Sequence, residues 1–342
     1  MKNTAENPVD VLILALPETA GSALYGMLDV LSATGNLWQT LVRSGPQSRC
    51  FRVRILGVQE APFTCGNGIP VHPQVSIADD PLASILILPE IWLGPDESIH
   101  GRYPALIDWI RRQHRHGAEI YSACSGSILL AETGLLDGRA ATSHWGYADL
   151  FRRQYSKVRF DAASNLVYAD PGARIVTAGG TTSWHDLALH IIARHAGPGA
   201  ALQIAKVYLL KWHPEGQLPY TGLVRRAPHA DSVARRAEDW LAENYREIDA
   251  IRRVVELAGI PERSLKRRFK MATGSTLIEY LQNLRIEQAK LLLEQGELPI
   301  EAVSEAVGYM DVSFFRRLFK RLTGLPPGQY RRMFQSQARL TA

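Results

Sequence analysis

The chain has 342 residues, enough for about two domains at roughly 150 residues each. Its composition is 46% hydrophobic and 21% charged with 7 Trp, 12 Tyr and 9 Phe, which excludes a mainly disordered chain, and no apolar run reaches the ~20 residues that span a bilayer. The net charge of +5 is uneven, because residues 261–342 hold 14 Lys/Arg against 8 Asp/Glu, the asymmetry expected where one domain meets a polyanion. Cys50, Cys65 and Cys124 cannot all pair, and MKNTAENPVD lacks a basic stretch leading into an apolar one. A cytoplasmic protein in a reducing compartment is therefore expected.

In chain order, strands are predicted at Asp10–Leu16, Phe51–Val58, Ser84–Leu88, Glu119–Ser122 and Ile175–Ala178. Amphipathic helices are predicted at Ala23–Ala33, Tyr103–His116, Ser125–Thr133, Tyr147–Gln154 and Thr182–Ala196. Such alternation implies an α/β domain with an open parallel sheet covered on both faces. The glycine- and proline-rich stretch Thr64–Val71 reads as an irregular loop or small hairpin. A longer helix, Ala200–Trp212, follows HAGPGAA, and HPEGQLPYTGLVRRAPH then reads as an extended linker. The expected division is 9–212 for the first domain, 213–230 for the linker and 231–335 for an all-helical second domain.

The second domain repeats itself at an offset of 50: Phe269 matches Phe319, Lys270 matches Lys320, Thr273–Gly274 matches Thr323–Gly324, and Tyr280 matches Tyr330. Each unit is a short helix (Ala250–Leu257, Pro299–Val307), a glycine turn (Gly259, Gly308) and a basic helix, and Leu277–Glu294 joins the two. Pro261 suits the first turn of one basic helix and Asp311 the start of the other. Two helices joined by a tight turn, the second exposed and basic, make a major-groove reader. With Leu265 and Phe269 inward, Arg263, Lys266, Arg267 and Lys270 face solvent or DNA. With Phe315 and Phe319 inward, Val312, Ser313, Arg316, Arg317 and Lys320 do. The blocks LKRRFK…TG and FFRRLFK…TG resemble the AraC/XylS family of bacterial transcription regulators over about residues 230–335. By that resemblance, Arg263, Lys266, Arg267, Val312, Ser313 and Arg317 would contact bases, while Arg316 and Lys320 would position phosphates.

In AEIYSACSGSILLAETG, Cys124 falls between a strand and a helix beginning near Ser125, on an elbow whose helix end would lower the thiol pKa. His144, in the turn TSHW, would return to the same rim. The pieces VLILALP…GMLDVLS, ACSGSILLAETGLLDGRAATSHW and TAGGTTSWHDLALHII resemble the DJ-1/PfpI superfamily, in particular the amidotransferase-like sensor domain of GlxA-type regulators. The resemblance covers most of residues 9–196 and implies a flavodoxin-like α/β sandwich. It also puts Ala23 where a catalytic carboxylate belongs and Glu90-Ile91 where a Gly-Gly donor turn belongs; Glu18 lies off the motif. A degenerate pocket serving as a small-molecule sensor is implied, with Cys124, Ser125, His144, Trp145 and Trp92 as candidate ligand-binding residues and Trp184 nearby. An aromatic cage would suit a cationic metabolite, and ordinary core packing is the alternative for these tryptophans. No phosphate-binding glycine loop and no zinc spacing occurs, so no cofactor or metal is expected.

The expected protein is a DNA-binding transcription regulator rather than an enzyme. Its partners would be double-stranded promoter DNA, a small-molecule effector, RNA polymerase and a second copy in a homodimer; no membrane is involved. Family precedent favours an activator. Two competitors remain: a cysteine-dependent hydrolase or hydratase using Cys124, and a regulator switched by Cys124 oxidation.

Overall fold

A computed structural model describes residues 7–43, 45–94, 97–222 and 229–338. The first part runs β1 (Val9–Leu14), α1 (Gly21–Ser32), α2 (Leu37–Val42), β2 (Phe51–Gly57), β3 (Phe63–Cys65), β4 (Ile69–Val71), β5 (Val75–Ser76), β6 (Ile85–Leu88) and α3 (Pro104–Arg115). It continues with β7 (Glu119–Ala123), α4 (Gly126–Glu132), β8 (Ala140–Ala141), α5 (Ala148–Gln154), β9 (Arg159–Phe160), β10 (Leu166–Tyr168), β11 (Ile175–Ala178), α6 (Trp184–His195) and α7 (Pro198–Tyr208).

Seven strands form one sheet in the order β10-β11-β7-β6-β1-β2-β5, parallel except for the β10–β11 pair. The uninterrupted apolar runs of the central strands explain this. In β1, Val11 and Ile13 enter one core with α1, α6 and α7, while Leu12 and Leu14 enter a second core with α3, α4 and α5. In β6, Ile85 and Ile87 join the first core, and Leu86 and Leu88 the second. A strand buried on both faces has no polar side to alternate with. From β1 the chain moves outward to β2 and β5, then returns to the other side of β1 as β6. The gap between the ends of β1 and β6 is thus a topological switch point, where open α/β sheets bind ligands.

Five predicted strands and five predicted helices are present within two residues at their ends. The Thr64–Val71 bracket is the hairpin β3–β4, paired from Phe63–Val71 to Cys65–Ile69. The helix expected to reach Trp212 stops at Tyr208, where Leu209 takes φ 54. The short β5 and the antiparallel β10 were not foreseen: β5 has two residues, and the edge strand β10 has three with only Val167 buried. Helix α2 escaped too, because it buries none of its side chains.

At the start of β7, Glu119 collects Arg194, His195 (3.1 Å) and the Tyr121 hydroxyl (2.5 Å). Burial pushes its carboxyl up, yet these hydrogen bonds outweigh burial and bring it from the ordinary 4.5 down to about 2. A depressed acid contributes stability above its unfolded pKa and loses it as pH falls towards the folded value. Melting between pH 5 and pH 2.5 should therefore drop less steeply for Glu119→Gln than for the wild type. Equal slopes would refute the coupling.

A second unit is separated from the first between Gln217 and Leu218. It contains α8 (Ser232–Asn244), α9 (Ala250–Leu257), α10 (Glu262–Thr273), α11 (Leu277–Gln295), α12 (Ile300–Ala306), α13 (Val312–Thr323) and α14 (Pro327–Ala338). It has two small cores threaded on α11. Leu277, Leu281 and Leu284 feed one with α8, α9 and α10, while Ile286, Ala289 and Leu293 feed the other with α12, α13 and α14. The 50-residue repeat is the same construction made twice. Phe269 meets Tyr280 edge-on at 5.4 Å, and Phe319 meets Tyr330 edge-on at 5.4 Å. Thr273 and Thr323 each donate to the carbonyl four residues back at 2.8 Å, and Gly274 (φ 72) and Gly324 (φ 75) close each basic helix in the left-handed conformation.

The segment 213–230 is not an extended linker at its start. His213 and Gln217 are fastened to the α/β unit, Leu218–Tyr220 forms a 3-10 turn, and 223–228 lies outside the described residues. The reason is hydrogen bonding, which the proline and glycine content conceals.

Candidate functional site

The elbow begins where β7 ends. Cys124 has φ 51, a left-handed conformation rare for a residue with a Cβ, and its amide donates to Ala178 of β11 at 3.0 Å. Its carbonyl accepts hydroxyl hydrogen bonds from Ser127 (2.8 Å) and Ser143 (2.9 Å). Ser143 precedes His144, so the TSHW turn does come back to the elbow. His144 stacks on Trp145 at 4.9 Å, and burial holds its imidazole below the ordinary value. The neutral ring accepts the Gly146 amide at Nδ1 (3.0 Å), which leaves Nε2 as its N–H.

Across the switch point stands Glu90, two residues beyond β6 and 5% exposed. Its Oε1 accepts from the Thr181 hydroxyl at 3.2 Å. Burial raises the carboxyl pKa, against opposing hydrogen bonds from Thr181 and Cys124. The Tyr147 hydroxyl donates to the Leu93 carbonyl at 2.9 Å. Burial, reinforced by Cys124 and Glu90, pushes that phenol up to about 12.

In the helical unit, Leu265 and Phe269 of α10 are buried, and Arg263, Lys266, Arg267 and Lys270 are exposed. In α13, Phe315, Leu318 and Phe319 are buried, Ser313, Arg316, Arg317 and Lys320 are exposed, and Val312 is half-buried. Lys266 pairs with Glu262 (2.5 Å) and Arg316 with Glu301 (2.7 Å). Among the described residues, Arg263, Arg267, Arg317 and Lys320 have no ion-pair partner. The basic helices begin differently: Asp311 caps α13 by accepting the Ser313 and Phe314 amides, whereas Pro261 is the cap residue of α10 rather than part of its first turn. Arg268, on the inner flank of α10, is spent on Asp231 through two 2.8 Å contacts.

The family model described as DJ-1/PfpI matches residues 12–194, more than half of the chain. The chain belongs to the DJ-1/PfpI family. A helix-turn-helix domain model matches residues 254–333. The HTH-type transcriptional regulator CdhR of Pseudomonas aeruginosa is 28% identical over 292 residues, covering 84% of this chain and 84% of CdhR. The HTH-type transcriptional regulator GlxA of Rhizobium meliloti is 29% identical over 229 residues, covering 65% of this chain and 68% of GlxA. Isonitrile hydratase of Pseudomonas putida is 28% identical over 192 residues, covering 55% of this chain and 72% of that enzyme. A DJ-1/PfpI domain followed by a helix-turn-helix domain makes this chain a helix-turn-helix transcription regulator.

Within this DJ-1/PfpI elbow several expectations change. Cys124 is 1% exposed, and burial together with the Glu90 charge raises its thiol well above the ordinary value, so the field of α4 does not produce a thiolate. Ser125 is buried and its hydroxyl is engaged within the protein, donating to the Ile91 carbonyl (2.5 Å) and accepting the Ile91 amide (3.0 Å). Ala23 belongs to α1 and is buried in the core, and Glu18 is held by Arg102 (2.8 Å) and Tyr103 (2.7 Å), so neither serves the cysteine. The acid beside Cys124 comes instead from Glu90.

The aromatic residues of the DJ-1/PfpI domain do not gather into one cage. Trp92 is 55% exposed and lies against Gly66 of the β3–β4 turn. Trp184 is buried against Gly26 of α1 and borders a separate groove of about 460 Å³ with His185, Tyr208 and Lys211. Of these three tryptophans Trp145 stays beside His144, which Tyr147 also meets edge-on at 6.2 Å. Among the described residues no group of three or more His, Cys, Asp or Glu is arranged to hold a metal, and no helix is long and apolar enough to cross a membrane.

Proposed function

We propose that this regulator reads promoter DNA with α10 and α13 and is controlled by a small molecule bound at the elbow. The observation that carries the DNA half is a pair of exposed basic helices on the repeated scaffold with Arg263, Arg267, Arg317 and Lys320 unpaired. Unpaired guanidinium groups are free to fork onto guanine, and a lysine to meet phosphate. The homodimer, the recruitment of RNA polymerase and the activating sign rest on the AraC/XylS resemblance.

Support for a sensor over an enzyme comes from the elbow itself. A nucleophilic site needs a thiolate and donors aimed at the developing oxyanion. Here the thiol stays protonated and the Ile91 amide is consumed by Ser125. Burial of Cys124 argues equally against an oxidation switch, which needs an accessible low-pKa thiol. Effector control would reach the helical unit through Gln217, which donates to the Ser143 carbonyl at 3.0 Å and accepts the Trp145 amide at 3.2 Å, one residue before that unit begins.

The test selects an operator from random duplexes with the full chain and then compares variants by fluorescence anisotropy. Arg267→Ala and Arg317→Ala should each cost about 1–3 kcal/mol, roughly five- to 150-fold, and relax preference at one base position. Wild-type affinity and preference in both would show that these faces do not read DNA.

A further inference from the structure

We propose that Glu90 is the recognition group of the elbow, and that the ligand it selects carries an ammonium group with at least one N–H. This deepens the reading of the elbow as the effector site and rests on it. Glu90 Oε2 is buried and has no hydrogen-bond partner, whereas Oε1 is satisfied by Thr181. A buried carboxyl oxygen left unpaired is costly, and native proteins leave few such groups without a reason. The side chains that interact with Glu90 are neutral: the Thr181 hydroxyl, the Cys124 thiol and the Tyr147 phenol, the last already donating to Leu93. Among the described residues no lysine or arginine pairs with Glu90. The protein thus supplies no positive charge here, and beyond Thr181 it offers only the weak thiol donor of Cys124.

The position of this unpaired oxygen has chemical meaning. Glu90 follows β6 at the switch point of the sheet, where ligands enter open α/β folds. The adjacent Ile91 amide donates to Ser125 Oγ at 3.0 Å and is engaged inside the protein. With the Ile91 amide engaged and the Glu90 oxygen unpaired, the elbow favours a cation over an oxyanion. An ammonium supplies both the charge and the hydrogen bond that Oε2 lacks, as in other charge-assisted pairs. A quaternary ammonium supplies the charge alone, and an alcohol the hydrogen bond alone.

Three four-carbon probes separate these contributions: n-butylamine, n-butyltrimethylammonium and n-butanol, titrated calorimetrically into the full chain at pH 7.5. The amine should bind at least tenfold more tightly than either of the others. In Glu90→Gln that preference should vanish. Equal binding of all three, preference for the alcohol or the quaternary ion, no binding by any, or an undiminished amine preference in Glu90→Gln would each overturn the assignment. The wild-type ranking needs no variant, so it decides even if Glu90→Gln fails to fold. Operator binding through Arg267 and Arg317 is measured separately, so a failed ranking and a failed DNA reading are distinguishable.

Discussion

Arg285→Ala is expected to destabilise the helical unit by about 3–5 kcal/mol, lowering its melting temperature by more than about 10 °C. Arg285 lies on α11 between the two small cores and is 6% exposed. Its guanidinium donates to the carbonyls of Tyr245 (2.7 Å), Glu247 (2.8 Å) and Gly308 (3.0 Å), and lies 4.8 Å from the centre of the Tyr309 ring. One side chain therefore ties the end of α8 to the turn of the second reader. Alanine would leave three carbonyls without that donor, and hydrogen bonds from charged groups contribute about 1.5–3 kcal/mol each. Gly308 is part of the same device: at φ 87, a Cβ there would stand 2.6 Å from the Arg246 carbonyl and 3.1 Å from the Arg285 guanidinium. Arg285→Lys keeps the charge but not the planar fork, so it should fall between alanine and wild type. Circular dichroism melts within about 1 kcal/mol of wild type for Arg285→Ala would refute the role.

The helical unit was legible because its two halves use the same residues for the same tasks. Phe269 and Phe319 fill the cores, Thr273-Gly274 and Thr323-Gly324 close the helices, and the basic residues fall on the face left over. Periodicity fixes which side of a helix is buried, so the exposed set follows from the apolar one. Arg285 was not legible. It sits at a position in a leucine-rich helix where a charge is ordinarily solvated, and its partners are backbone carbonyls 23 to 40 residues away. No spacing rule predicts a bond to a main-chain atom of a distant loop.

The α/β unit divides in the same way. Its central strands announce themselves as apolar runs, and the elbow around Cys124 by a strand meeting a helix. The motif points to Ala23 for the acid, whereas proximity is set by sheet order, which brings Glu90 beside Cys124. Residues following β6 and β7 are neighbours because those strands are, although they lie more than thirty positions apart in the chain. The available signal was a glutamate directly after the apolar run ILILP, a place where a parallel strand delivers its next residues to the ligand-binding edge. The thiolate expectation failed for a related reason: a helix N-terminus acts weakly on a group that burial and a carboxylate both push the other way.

Gln217→Leu should produce the second large effect, and its location gives that effect functional meaning. Gln217 is 3% exposed, and its amide donates to Thr142 Oγ1 (3.1 Å), the Ser143 carbonyl (3.0 Å) and the Ser164 carbonyl (3.0 Å) while accepting the Trp145 amide (3.2 Å). Its own amide binds the Ala163 carbonyl at 2.8 Å, and Gly179 packs so closely that a Cβ there would meet the glutamine amide at 2.4 Å. Leucine fits the volume but leaves several buried polar groups unsatisfied, at about 1–3 kcal/mol each, for a total near 3–5 kcal/mol. The loss should be local. Amide hydrogen exchange should accelerate at 142–145, 163–165 and 213–217, while the segments around Arg285 and Gly308 keep their protection. Unchanged exchange in the first three segments would show that Gln217 fastens nothing. Accelerated exchange there would follow from the order of the contacts. Ser143 bonds the Cys124 carbonyl, Gln217 bonds the Ser143 carbonyl, and Leu218 opens the helical unit. Two hydrogen bonds therefore connect the elbow to Gln217, the last residue of the α/β unit.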